Sequence, residues 1–183
     1  ELMWVDAEPG TPPRALDIQS LPFGVVSLAE EFGRESLAPE VFNSIVERVD
    51  RTLAPFEERH RIAKKIEAGR VHVLGTSGTV TTMGAIYLDL QKYERSRVDG
   101  LDIRVESIHA IAEKLSGLDY QARRRHPCIG PDRADLMVMG CAVLTAVCRR
   151  WPSESLTAAD RGIREGLLLS MMAADSAPAP RDS

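Results

Sequence analysis

The sequence predicts an α/β domain in which helices pack on a mixed sheet of about five strands. Short segments near the start alternate apolar and polar residues as strands do, and longer segments repeat apolar residues about every 3.6 positions as helices do. Further along, the two kinds of segment alternate. At 183 residues the chain is long enough for one domain with a core of its own, which we expect over residues 1–173.

Three short strands in meander order are predicted first. Residues 1–6 are strand-like, residues 15–21 alternate as a half-buried strand does, and a turn at Pro22 leads into the apolar run at residues 25–28. Because nothing that resembles a turn or cap stands ahead of residues 1–6, we expect that a preceding sheet element has been removed.

An amphipathic helix follows, with Pro39 at a first-turn position. Pro55 lacks a backbone donor, so we expect it to kink or split this helix and to leave residues 57–67 as a more exposed segment. A short strand is then predicted at residues 71–74, followed by a loop and a helix that reaches Leu90. The apolar stripe of the first helix consists of Val41, Ile45, Val49, Leu53 and Phe56.

The second half of the chain is predicted to be mainly helical. A long connection spans residues 92–104, and Asp132 is placed to cap the strongest helix. Residues 174–183 are rich in Ser, Ala and Pro, so we expect a disordered tail. Two weaker helices, the strongest helix, a last strand and a last helix are predicted at residues 108–115, 120–125, 131–151, 156–159 and 163–172.

Composition excludes several classes of protein. Hydrophobic residues make up 44% and charged residues 27%, as in ordinary globular domains, and no apolar run approaches the length of a membrane span. The net charge of −4 argues against nucleic-acid binding, and three cysteines without paired spacing indicate a reducing, cytoplasmic setting. The basic run at residues 123–126 could contact a polyanion. We interpret it instead as solvated side chains at the end of a helix, where positive charge complements the helix dipole.

The best local candidate for a binding site is the glycine loop, which joins the strand at residues 71–74 to the next helix. Glycines let backbone amides approach a ligand, hydroxyls add donors, and the helix start offers unpaired N–H groups with a partial positive charge. These features suit a bound phosphate, and the alternative is a tight turn capped by Ser or Thr. The glycine loop consists of Gly75, Thr76, Ser77, Gly78 and Thr79.

Two other segments carry weaker candidates. Arg133 lies in the predicted first turn of the strongest helix, where its charge opposes the helix dipole unless an anion or a carboxylate is near. The alternative for Arg133 is a salt bridge to a surface acid such as Asp132 or Asp135. Asp160 and Arg164 lie between the end of the last predicted strand and the start of the last predicted helix, where they are candidate site residues. The alternative is that Asp160 only caps the helix and that Arg164 is only solvated.

Five motifs in register make the chain resemble the exopolyphosphatase and guanosine pentaphosphate phosphatase (Ppx/GppA) family over essentially its whole ordered length. The motifs are Ser20-Leu21-Pro22-Phe23-Gly24-Val25-Val26, then residues 74–82 with the glycine loop, then Tyr93 with Arg97-Val98-Asp99-Gly100, then Gly130-Pro131-Asp132-Arg133-Ala134-Asp135, then Asp160-Arg161-Gly162 with Arg164-Glu165-Gly166.

The resemblance implies a ribonuclease-H-like, actin-like fold in which two related domains close on a phosphorylated ligand, this chain being similar to the second. It implies removal of terminal phosphate from polyphosphate or guanosine pentaphosphate, with Mg²⁺ as cofactor, the first domain as partner and a homodimer as one assembly. It assigns phosphate binding to the glycine loop and supports Arg133 as a possible catalytic residue, with Asp160 and Arg164 as weaker site residues.

The sequence also departs from the family pattern. Family members carry an Asp-x-Gly-Gly-Gly-Ser-type loop just before a Glu-Leu pair, and this sequence begins at Glu1-Leu2. The water-orienting glutamate and the acidic ligands of magnesium are expected upstream of Glu1, so we expect this chain alone to be inactive. Two alternatives remain open: a sugar- or acetate-kinase-type half-domain that binds ATP, and a non-catalytic module that binds a phosphorylated alarmone or packs against a subunit.

Overall fold

A computed structural model of the chain describes residues 1–33 and 37–175. It confirms the α/β class. Residues 174 and 175, which were predicted to begin a disordered tail, are helical, and the rest of the predicted tail lies outside the described residues. The described elements, in chain order, are β1 (Leu2–Asp6), β2 (Arg14–Gln19), α1 (Val25–Phe32), α2 (Pro39–His60), α3 (Ile62–Glu67), β3 (Leu74–Gly75), α4 (Gly78–Tyr87), α5 (Arg95–Val98), β4 (Leu101–Arg104), α6 (Val105–Ser116), α7 (Tyr120–Arg125), α8 (Met137–Arg150), β5 (Ser155–Ala158) and α9 (Ile163–Asp175).

The described strands form two sheets, where the sequence predicted one sheet of about five strands. β1 and β2 pair as an antiparallel hairpin. The second sheet has the order β3-β5-β4, in which β3 is parallel and β4 antiparallel to β5. This second sheet is mixed, as predicted, but it contains three strands. β4 falls inside the segment that was predicted to be a long connection, because its four residues are too few to show a clear period.

The third predicted meander strand is wrong, because residues 25–28 begin the helix α1. The N–H of Gly24 donates to Ser27 Oγ at 2.9 Å, which closes the first turn of that helix. Leu28 and Ala29 are buried in the same cluster as residues of α2 and α8. A short apolar run is compatible with either a strand or a helix, and here tertiary packing selects the helix.

The predicted split of the helix at Pro55 is also wrong, since α2 continues through Pro55 to His60. A proline inside a helix costs about 3 kcal/mol, whereas burying Leu53 and Phe56 beside it contributes about 2 kcal/mol each. The chain instead turns at Arg61, whose φ of 50° is left-handed. The Glu57 carboxylate accepts the N–H of Ile62 at 2.9 Å and thereby caps α3.

The helix α8 lies at the centre of the fold and belongs to both hydrophobic clusters. One cluster joins it to α4, α6 and the three-stranded sheet, and the other joins it to α1, α2 and the hairpin. The strongest predicted helix is therefore confirmed, but it begins at Met137. Residues 131–136 form turns ahead of it, so the predicted cap at Asp132 is wrong. No helix in the described part of the chain is long and apolar enough to span a membrane.

Candidate functional site

The candidate site lies at one edge of the three-stranded sheet, where β3 and β5 end side by side. The glycine loop leaves the end of β3, and Asp160 follows the end of β5. The N–H of Ala159 donates to the carbonyl oxygen of Gly75 at 2.8 Å, which ties the two loops together. Ligands of open α/β sheets bind outside the carboxyl ends of the strands. The structure thus joins two motifs that are far apart in sequence.

The glycine loop lies between a strand and a helix, as the sequence predicted, but β3 consists of Leu74–Gly75 and not of the predicted residues 71–74. Ser77 is the N-cap of α4, and its Oγ accepts the N–H of Val80 at 3.2 Å. The turn capped by a serine, which was the alternative to a phosphate site, is therefore present. Its hydrogen bond uses only one of the amides at the start of the helix. The amides of Gly78 and Thr79 occupy the first two helical positions and have no acceptor within the helix, which leaves them suited to an anion.

The two glycines of the loop serve different purposes. A Cβ at Gly75 would lie 2.8 Å from Val80 Cγ2 and 3.1 Å from Leu156 Cδ2, so close packing under the loop requires glycine there. The three atoms nearest to a Cβ at Gly78 would all belong to the guanidinium of Arg133, with the Cζ atom at 3.4 Å. Gly75 is needed for the fold, whereas Gly78 keeps open the space in front of Arg133.

Arg133 lies over the first turn of α4 and not in the first turn of α8. Its Nη1 donates to Thr82 Oγ1 at 3.0 Å and to the carbonyl oxygen of Gly78 at 3.3 Å. Within residues 1–33 and 37–175 no carboxylate forms a salt bridge with Arg133, so the predicted alternative of pairing with Asp132 or Asp135 is not realised. The guanidinium has five N–H donors, and these two bonds use only those of Nη1. Arg133, a candidate from the sequence, therefore lies beside the start of α4.

Arg123 is a supporting residue that sequence reasoning missed. It was interpreted as part of a solvated basic run, but its side chain is fully buried. Its Nε donates to the carbonyl oxygen of Ala134 at 3.0 Å, and its Nη1 donates to the carbonyl oxygen of Leu118. Arg123 thus holds the turn that carries Arg133. Nothing in the sequence distinguishes Arg123 from Arg124, which is exposed as predicted.

Asp160 is held at the site by two neighbours from the segment ahead of β4. The Tyr93 hydroxyl donates to Asp160 Oδ2 at 2.7 Å, and Arg95 Nε lies 3.3 Å from the same oxygen. Burial of Tyr93, together with its bond to the Asp160 carboxylate, raises the pKa of Tyr93 to about 12. Arg164 is exposed on α9 and forms no hydrogen bond or ion pair with any residue that the structure describes. The structure therefore brings Asp160 to the glycine loop but leaves Arg164 apart.

Comparison with known proteins identifies the family. The model of the Ppx/GppA phosphatase family matches residues 1–175. The chain belongs to the Ppx/GppA phosphatase family. The resemblance carried by the five sequence motifs is thereby confirmed.

Solved structures show the same fold. A crystal structure of the Ppx/GppA family member of Aquifex aeolicus is 20% identical, with a TM-score of 0.74 over 90% of this chain and 51% of the other. An exopolyphosphatase from Cytophaga hutchinsonii is 19% identical, with a TM-score of 0.72 over 88% of this chain and 51% of the other. An exopolyphosphatase-like protein is 23% identical, with a TM-score of 0.70 over 88% of this chain and 51% of the other. This Ppx/GppA chain spans about half the length of the structures it matches.

The described residues of this Ppx/GppA chain do not fit a magnesium ion by themselves. Magnesium is held by oxygen ligands, chiefly carboxylates. In the part of the chain that the structure describes, no three residues among His, Cys, Asp and Glu converge in a way that would hold a metal ion.

The glycine loop of the Ppx/GppA chain also rests on α8 through a close contact. A Cβ at Gly140 would lie 2.1 Å from Thr79 Oγ1 and 2.8 Å from Thr79 Cγ2. Rotation of the Thr79 side chain would still leave its Cβ only 3.0 Å away. The half-buried Thr79 side chain therefore seats the loop on α8, while its backbone amide stays at the helix start.

Replacing Gly140 by alanine is expected to destabilise the protein by about 2 kcal/mol, because overpacking against Thr79 exceeds the roughly 1 kcal/mol of helix propensity that alanine adds. Gly166 in α9 is the matched control, since a Cβ there meets nothing within 4 Å. Gly166→Ala should leave stability unchanged or raise it by up to about 1 kcal/mol. Urea denaturation of both variants measures the difference, and equal effects would show that the contact does not persist in solution.

Proposed function

We propose that the complete protein removes the terminal phosphate from polyphosphate or from guanosine pentaphosphate, and that this chain contributes the anion-binding half as the second of two ribonuclease-H-like domains. One observation carries the proposal. The Cζ atom of Arg133 lies 3.4 Å from the place that a Cβ on Gly78 would occupy. It is thus beside the two amides at the start of α4 that have no acceptor within the helix.

This arrangement suits phosphoryl transfer. The reaction places negative charge on the oxygens of the transferring group, and catalysis comes mainly from positioning and from neutralising that charge. The amides of Gly78 and Thr79 supply fixed donors, and Arg133 supplies a fixed positive charge. Thr82 and Arg123 hold Arg133 in place, directly and through its turn respectively.

The remaining parts of the reaction are assigned to the other half of the protein. We propose that the residues that orient the attacking water and bind magnesium lie upstream of Glu1, which is supported by the chain spanning about half the length of the Ppx/GppA structures it matches. We also propose a cytoplasmic setting, which is supported by the three free, buried cysteines.

The test compares this chain with the full-length protein. Purified chain alone is expected to release no phosphate from either substrate above background, while the full-length protein does so. In the full-length protein, Gly78→Val should raise KM about tenfold or more, because a branched side chain fills the space in front of Arg133. Gly166→Val on the open side of α9 is the control and should leave KM within about twofold.

The outcomes separate the alternatives. An unchanged KM in a folded Gly78→Val protein would show that the glycine loop does not bind the substrate. Turnover by the chain alone, abolished by replacing one of its own carboxylates, would place the catalytic machinery in this half. Preferential stabilisation by ATP in a thermal-shift measurement would favour the kinase-type alternative, and phosphate binding without turnover by the full-length protein would favour the non-catalytic module.

A further inference from the structure

A line of side-chain contacts joins Asp160 to Arg133 across the first turn of α4. The Tyr93 hydroxyl donates to Asp160 Oδ2 at 2.7 Å and is also hydrogen-bonded to the Thr81 side chain. Thr81 Oγ1 donates to the carbonyl oxygen of Gly78 at 3.3 Å, and Arg133 Nη1 donates to that same oxygen at 3.3 Å. An acidic residue and the arginine of the proposed phosphate site therefore lie at the two ends of this line.

The charges at both ends of the line act on the Tyr93 hydroxyl. Burial, followed by the hydrogen bond to Asp160 and the charge of that carboxylate, raises the pKa of Tyr93 to about 12, whereas the charge of Arg133 lowers it. Tyr93 is therefore uncharged at neutral pH and remains a donor to Asp160. Because the two charges act on one hydroxyl, they are close enough to attract each other.

Asp160 nevertheless pairs with other partners and not with Arg133. Its Oδ2 accepts from Tyr93, and Arg95 Nε lies 3.3 Å from the same oxygen. The Arg95 side chain is half exposed, so its ion pair is a weak restraint by itself. The bond from the half-buried Tyr93 hydroxyl to a carboxylate is of the stronger, charge-assisted kind. Tyr93 therefore supplies the main restraint on the direction of the Asp160 side chain.

An ion pair between Asp160 and Arg133 would neutralise the charge that a phosphate group requires at this site. On the basis of the proposed function, we propose that Tyr93 is a positioning residue whose hydroxyl keeps the Asp160 carboxylate from pairing with Arg133. The guanidinium then keeps its charge and its remaining donors for phosphate. The Tyr93 ring packs against the hydrophobic cluster that joins α8 to α4, α6 and the three-stranded sheet, so the hydroxyl is held in a fixed place.

The test removes this hydroxyl from the full-length protein. Tyr93→Phe keeps the ring and should lower kcat/KM about tenfold, because Asp160 then competes with phosphate for Arg133. In the Asp160→Asn background the same change should alter kcat/KM by less than about twofold, since no carboxylate is left to compete. Tyr87→Phe is the matched control and should leave kcat/KM within about twofold. Tyr87 is half-buried against the same cluster, and its hydroxyl forms no hydrogen bond with the described residues.

Titration calorimetry with pyrophosphate measures binding without turnover, and its Kd should rise about tenfold in Tyr93→Phe but not when Asp160→Asn is also present. Equal effects of Tyr93→Phe with and without Asp160→Asn would show that the hydroxyl only supports the fold, and would overturn the proposal. If Arg133→Ala leaves kcat/KM unchanged, the proposed phosphate site itself fails. A large effect of Arg133→Ala with no effect of Tyr93→Phe overturns only the role of Tyr93, so the two failures are distinguished.

Discussion

Replacing Arg133 with alanine is expected to lower kcat/KM of the full-length protein by roughly ten- to a thousandfold, the range for one lost charged contact to a transferring phosphoryl group. Stability should change little. The Arg133 side chain is exposed, and its two bonds to α4 are of the kind that contribute only about 1 kcal/mol each. Steady-state phosphate release and a melting curve on the same preparation measure both effects.

Two further variants make the Arg133 result specific. Arg133→Lys keeps the charge but loses the planar fork of donors, so it should recover only part of the activity. Arg97→Ala removes an exposed arginine of α5 whose ion pair with Glu94 is a weak contact at 3.8 Å, and it should leave kcat/KM within about twofold. A large decrease in the melting temperature of Arg133→Ala with unchanged kinetics would show that Arg133 only stabilises the fold through its bonds to α4.

Arg123→Ala is expected to destabilise the protein by roughly 3 kcal/mol or more, because the change leaves a cavity and deprives the buried carbonyl group of Ala134 and the partly buried one of Leu118 of the Arg123 donor. The midpoint of urea denaturation should fall while the slope stays constant. Arg124→Ala and Arg125→Ala, in the same basic run but exposed, should stay within about 0.5 kcal/mol of the wild type.

The comparison within one run of arginines isolates burial as the cause. If Arg123→Ala is no more destabilising than Arg124→Ala, then the Arg123 side chain does not occupy the interior in solution, and the turn at residues 131–136 has another support. If Arg123→Ala is folded but destabilised, kcat/KM of the full-length protein should also fall, since this turn positions Arg133.

Much of the local structure could be predicted from the sequence. The helices α6 and α7 and the strand β5 lie close to their predicted positions, and the glycine loop joins a strand to a helix capped by Ser77. The errors occur where a local pattern is ambiguous. Residues 25–28 are too short to distinguish a strand from a helix, and Pro55 is tolerated because its neighbours are buried in the core.

The sequence by itself determined the family, the order of most elements and the residues of the glycine loop. These depend on motifs and on interactions within one helical turn, such as a serine cap or a repeat of 3.6 residues. Only the tertiary structure decided that β3 pairs with β5, that Arg133 lies over Gly78 and that Arg123 is buried while Arg124 is not. Each of these features depends on contacts between segments that are distant in sequence. The packing free energy of the whole core decides which of those contacts form.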